Sequence, residues 1–167
     1  MSAKFPIFFG IAIALLALGM WFGWFSTADS RLQLTGEILK VRTIELTPET
    51  TLAILDFRMK NDSNILFTLR EASVVWTAAD GSLKETDPVA RPDLDRILQY
   101  ARQAGPKYNE MFVMGEKLTS KAMVDRMAAG VVKAPEAEFL KRKSVTLRLT
   151  DLDGKTFELH ERGAVSK

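Results

Sequence analysis

One stretch constrains this chain more than any other: Phe5–Phe25, FPIFFGIAIALLALGMWFGWF, which runs 21 residues without a charge. As a helix it would measure about 31 Å, the thickness of a bilayer's hydrocarbon core. Its ends are aromatic, and Trp21 and Trp24 sit where an interfacial belt of amphipathic rings is expected. Pro6 falls in the first turn, where its missing N–H leaves no bond unmade. The reading is a single transmembrane helix in contact with the lipid bilayer. A cleaved signal peptide is the alternative, because Ser26-Thr27-Ala28 offers a small-residue site, but the apolar core of such peptides runs only about 7–15 residues. Gly19 and Gly23 form a small-xxx-small pair, through which a second helix could approach closely.

The flanks bear on orientation. Lys4 precedes the run, whereas Arg31, Lys40 and Arg42 follow it. Counted alone, those charges would hold the C-terminal side in the cytoplasm. Long domains cross membranes largely regardless of charge, and a short tail before an N-terminal anchor is the usual form of an exported domain. An extracytoplasmic C-terminal domain is therefore expected.

Composition narrows the functional classes. With 23 basic and 21 acidic residues the net charge is +2, without the basic stripe of a nucleic-acid binder. No cysteine is present, which excludes disulfides, thiolate metal sites, cysteine nucleophiles and a lipidated-cysteine anchor. His160 is the single histidine, so multi-histidine metal centres are excluded too.

Beyond a polar exit at 26–31, the sequence reads as one domain over 32–161 with a frayed tail at 162–167. Leu32–Leu46 reads as a long strand, with Thr35-Gly36 suggesting a bulge. Thr51–Lys60 alternates with period two: Ala53, Leu55, Phe57 and Met59 share one face. Leu52 and Ile54 make its first half apolar on both faces, which predicts a central strand. The turn Asn61-Asp62-Ser63-Asn64, the strand Leu66–Ala78 and the turn Asp80-Gly81 follow. Leu94, Ile97, Leu98 and Ala101 are spaced for a short amphipathic helix within Pro88–Gln103, expected to lie across an edge or end of the sheets. Thr119–Val132 and Ser144–Thr150 read as strands, and Ala134–Arg142 as one or two helical turns with Phe139 and Leu140 inward. Lys155–His160 returns after the turn Asp151–Gly154. Short strands separated by turn signals predict a mostly β fold: an antiparallel, immunoglobulin-like β-sandwich with an inserted short helix.

The strand Leu52–Met59, the turn Asn61–Asn64, the strand ending Val74-Val75-Trp76, the Asp80-Gly81 turn and the last hairpin with Asp153-Gly154 together form a pattern. It resembles the membrane-anchored domains related to the late-embryogenesis-abundant type 2 (water-stress) group, and their bacterial FxLYD-type relatives. The resemblance spans about Leu32 to Leu159. It implies a seven-stranded sandwich at the cell envelope and no catalytic residues.

The remaining chemistry-bearing residues favour structural readings. His160, Glu161, Asp151 and Asp153 could form an acid–base or metal cluster, but a lone imidazole lacks converging ligands, so a charged hairpin is expected. Asp151–Gly154 lacks the later ligands of a calcium loop. Lys141-Arg142-Lys143 reads as a solvated loop, with contact to anionic lipid as the alternative. Asn61-Asp62-Ser63 matches a glycosylation sequon inside an expected tight turn. Met111, Met114, Met123 and Met127 read as core filler, with an adaptable binding surface as the alternative. No nucleophile elbow, phosphate loop or metalloprotease spacing occurs. The expectation is a non-catalytic binding or scaffolding module of the cell envelope, without cofactor or metal. Its alternative is an accessory subunit packed against other membrane proteins.

Overall fold

The structure, a computed structural model, describes residues 13–21, 31–101 and 105–162. Residues 13–21 are helical and exposed on all sides (α1). Trp24, Gly23 and both ends of the expected membrane helix lie outside the described residues. Among the described residues, no helix is long and apolar enough to cross a membrane.

The rest is mostly β. Its strands are β1 (Leu34–Thr47), β2 (Thr50–Asn61), β3 (Phe67–Thr77), β4 (Leu83–Glu85), β5 (Asp87–Pro88), β6 (Lys117–Leu118), β7 (Met123–Val132), β8 (Ser144–Asp151) and β9 (Thr156–Glu161). Two helices interrupt them, α2 (Arg91–Tyr100) and α3 (Glu136–Leu140). The strand path is β4-β3-β8-β9-β1-β2-β7-β5, with β6 added to β3. It bends at the parallel pairing of Glu37 with His160 and Ile38 with Glu161. The two halves therefore face each other as a β-sandwich.

The alternating residues of each half meet in the core. Ala53, Leu55, Phe57 and Met59 of β2 face Phe67, Leu69, Val74 and Trp76 of β3 and Val145, Leu147 and Leu149 of β8. Trp76 packs edge-on against Phe139 of α3, with ring centroids 5.3 Å apart. Phe112 slots between Phe57 and Phe67, 6.2 Å from each.

The two-faced burial of β2 has a specific cause. Leu52 and Ile54 point away from the main core into a second cluster with Ile44, Met127, Ala129 and Leu94 of α2. The helix thus lies on the outer face of β1–β2–β7, not across an edge or an end. Its narrow apolar stripe needs an apolar partner, and the outer residues of β2 supply one.

Three further expectations change. Gly36 is paired in register with Met59; the irregularities in β1 fall between Ile38 and Lys40 and between Glu45 and Thr47. A Cβ at Gly36 would stand 2.3 Å from the Arg58 carbonyl oxygen, so the glycine permits close backbone approach. Leu140 is 60% exposed while Phe139 is buried, because a five-residue helix turns only one such side chain inward. Met127 is buried, but Met114 and Met123 are exposed, which splits the four methionines between core and surface.

The turns match their chemistry. Gly81 and Gly154 adopt φ of 92° and 85°, which L side chains rarely tolerate. The Asp80 carboxylate accepts from the Ser82 amide at 2.8 Å.

Candidate functional site

One side of the sandwich is sealed by the β1–β9 pairing. On the other, β3 and β7 approach each other without pairing, and a groove opens between them. β3 bonds β8 along one edge. Its other edge meets β4 at Val75–Thr77, the Thr86 amide at Val74, and Gly115 and Glu116 at Leu69. Among the described residues, no ladder partner covers that edge over Arg70–Ser73. A bulge between Leu69 and Glu71 marks where pairing slips.

The groove encloses about 1070 Å³. It is lined by Ala72 and Val74 of β3, by Ala128 and Ala129 of β7, and by Met111, Phe112 and Met114 of the segment that joins them. Glu71, Glu85 and Asp87 stand around it. Asp87 is paired with Lys133 at 2.8 Å. Glu71 and Glu85 are exposed, and among the described residues neither has an ion-pair partner. Arg70 also lines the groove, and its guanidinium reaches the Gly154 turn.

The far boundary is held by a strap, residues 105–116. The Phe112 amide donates to the Met127 carbonyl at 2.8 Å, and the Met127 amide to the Glu110 carbonyl at 2.9 Å. The strap then crosses to β3, where the Gly115 amide donates to the Leu69 carbonyl at 2.8 Å. Lys107 and Arg91 both reach the Glu110 carboxylate, at 2.9 and 2.5 Å. The hydrogen bond from Lys107 holds that carboxyl below the usual carboxylate range.

Beneath the strap lies an ion pair that the alternation of β1 and β2 does not reveal. Arg42 Nε donates to Asp56 Oδ2 at 2.9 Å, and both side chains are only 6% exposed. Arg42 also donates to the Pro106 carbonyl at 3.1 Å. Its guanidinium lies 5.0 Å from the centre of the Tyr108 ring. Asn109 reaches the other Asp56 oxygen at 3.4 Å. The pair sits at the end of the outer cluster built by Leu52 and Ile54. Two-sided burial of β2 was the available signal, although nothing in the sequence says which strand would supply the countercharge.

The other sequence-marked residues separate. His160 Nδ1 stands 3.2 Å from Thr146 Oγ1, and Glu161 pairs with Arg142 at 3.0 Å. Asp151 is buried at the turn end of the β8–β9 hairpin and accepts from the Thr68 amide at 2.9 Å. Among the described residues, no three histidine, aspartate or glutamate side chains gather as a metal site. Asn61 is fully buried: its amide donates to the Ile65 and Leu118 carbonyls at 2.6 and 3.2 Å. Its oxygen accepts from the Ser63 amide at 3.0 Å, so the sequon asparagine is committed to its turn. Lys141–Lys143 precede β8, at the end opposite the Asp151–Gly154 turn. In α1, Trp21 is 67% exposed, and a Cβ at Gly19 would meet nothing within 4 Å.

No family model matches the chain, and no curated protein matches it. Solved structures with a related chain course include a protein assigned as ApaA from Bordetella pertussis, at 11% identity, TM-score 0.38, over 78% of this chain and 89% of that one. The archaellum periplasmic stator protein FlaG of Sulfolobus acidocaldarius aligns at 14% identity, TM-score 0.36, over 78% and 99%. A β-sandwich protein of Clostridium difficile aligns at 11% identity, TM-score 0.32, over 78% and 80%. The likeness is one of β-rich chain course.

Proposed function

We propose that this chain is a single-pass, membrane-anchored, non-catalytic binding module of the cell envelope. On this reading it engages a partner protein through the groove between β3 and β7. The observation that carries the binding role is the uncovered edge Arg70–Ser73 beside apolar walls. An unpaired strand edge offers main-chain donors and acceptors, and adjacent apolar space takes alternate side chains. The occupant that fits is a short extended segment of a partner, apolar at alternate positions and carrying a lysine or arginine for Glu71 or Glu85. The anchor rests on Phe5–Phe25. The strand order, with the first strand antiparallel to the second and parallel to the last, supports the immunoglobulin-like class and the water-stress relatives that the turns resemble. The alternative is an accessory subunit of an integral membrane protein complex, held by its transmembrane helix, with Gly19 and Gly23 as contact points.

Because the chain lacks cysteine, one introduced thiol gives a unique probe. A benzophenone placed on Ala72→Cys in the full chain, in native membranes, should yield one defined adduct. The attachment site should map to an extended basic segment of one protein, and Glu71→Lys with Glu85→Lys should abolish the adduct. Adducts that match those from Lys143→Cys, or that survive the charge reversal, would defeat the groove reading. Loss of the chain from carbonate-washed membranes would defeat the anchor.

A further inference from the structure

Where the apolar run would deliver the sandwich is written into its strand ends. β1 starts at Leu34, so the chain enters the domain at the end formed by the turns 62–66, 119–122 and 152–155. These segments are tied together. The Asp62 amide donates to the Gln33 carbonyl at 2.9 Å, Ser120 Oγ to the Ser63 carbonyl at 2.9 Å, and the Leu152 amide to the Thr68 carbonyl at 3.2 Å. Lys155 Nζ donates to the Leu32 carbonyl.

This end carries large apolar side chains in water. Ile65 is 36% exposed, Leu66 44% and Leu152 59%. Interleaved with them are exposed cations: Arg31, Lys117, Lys121 and Lys155. Acids there are fewer among the described residues. Asp62 is half-buried and held by Lys60 at 2.5 Å, and exposed Asp153 stands in the β8–β9 turn. Six residues, 26–31, separate the apolar run from Leu32. Even fully extended they reach only about 20 Å, so an anchored domain keeps this end near the headgroups. The basic run Lys141–Lys143 sits at the opposite end and is not the one brought down.

We propose that this end, with Ile65, Leu66 and Leu152 leading and Lys121 and Lys155 beside them, rests on an anionic phospholipid surface. It thereby fixes the tilt of the sandwich and holds the β3–β7 groove at a set height. Apolar tips enter the headgroup layer while lysines pair with its negative charge. The inference rests on the anchored reading above.

The test uses the full chain in lipid nanodiscs, with an environment-sensitive fluorophore on Leu152→Cys and, as the distant control, on Glu49→Cys in the β1–β2 turn. In discs containing phosphatidylglycerol, the Leu152 probe should shift to the blue and lose most of its quenching by aqueous iodide, while the Glu49 probe stays fully quenched. Phosphatidylcholine discs, or Lys121→Glu with Lys155→Glu, should restore quenching at Leu152. If the chain is recovered in discs but both probes quench alike, the lipid contact is wrong and the anchor stands. Shielding at Leu152 that ignores both lipid charge and the lysine reversal also overturns it. Chain recovered outside the discs overturns the anchor and this inference together.

Discussion

At the scale of single residues, Arg42 and Asp56 form the most buried ion pair among the described residues. Each gives up most of its hydration under the strap, and what replaces it is the other's charge, the Pro106 carbonyl and the face of Tyr108. A buried pair of this kind contributes little net stability against an apolar replacement, yet removing one partner is costly because a desolvated charge remains. Asp56→Ala should therefore destabilise the domain by about 3–5 kcal/mol. Arg42→Met combined with Asp56→Leu should cost much less than the single change, because neither charge is then buried. Urea midpoints of the three proteins check this. Equal losses in single and double variants would mean that the pair is relaxed and hydrated.

At the scale of elements, the crossing of β5 over β7 depends on an absent side chain. Gly130 pairs with Pro88, and a Cβ at Gly130 would lie 2.0 Å from Thr86 Oγ1 and 2.7 Å from its Cβ. Gly130→Ala should cost about 1–3 kcal/mol by overpacking, and Thr86→Ala should recover most of that loss in the double variant, as read from thermal or urea unfolding. No rescue would place the strain in the backbone. The same elements show what a sequence can and cannot disclose. β8 was legible because Val145, Leu147 and Leu149 are all fully buried on one face, and alternation is a local signal. β2 was legible as central for a related reason. The position of α2 was not, because an amphipathic stripe states that it will be covered and not by what. Gly36 and Gly130 were opaque, since the atoms that exclude a side chain, on Arg58 and Thr86, belong to other strands. The groove was hidden for the same reason: its walls, Ala72–Val74 and Ala128–Ala129, are more than fifty residues apart. Only Met111 and Met114 point to it in the sequence, and methionines more often fill irregular core space than line a binding surface.

For the whole molecule, exposed charge pairs tie strands, strap and turns into one pH-dependent surface. Asp125 of β7 is held below the usual carboxylate range by the hydrogen bond from Arg58 of β2. Asp62 is lowered by Lys60, Asp80 by Ser82 and Glu110 by Lys107. Each of these groups binds protons more weakly folded than unfolded. Their contribution is thus complete above the ordinary carboxylate values, about 4, and is lost as pH falls through the lower folded values. Lys107, raised by Glu110 and Asp95, runs the other way: its contribution persists up to the ordinary lysine range and is lost as pH rises through its folded value. The urea midpoint should accordingly hold through neutrality and fall below about pH 4, with a second decline only at strongly alkaline pH. Because the Arg58–Asp125, Lys60–Asp62 and Lys107–Glu110 pairs are open to solvent on at least one partner, added salt should shrink their part of the acid decline, while the part from Asp80, held by Ser82, should change less. Asp125→Asn should remove its own share of that decline while lowering the neutral midpoint slightly. A midpoint unchanged down to pH 2 would show that these pairs decorate the sandwich without stabilising it, leaving the apolar core to hold it together.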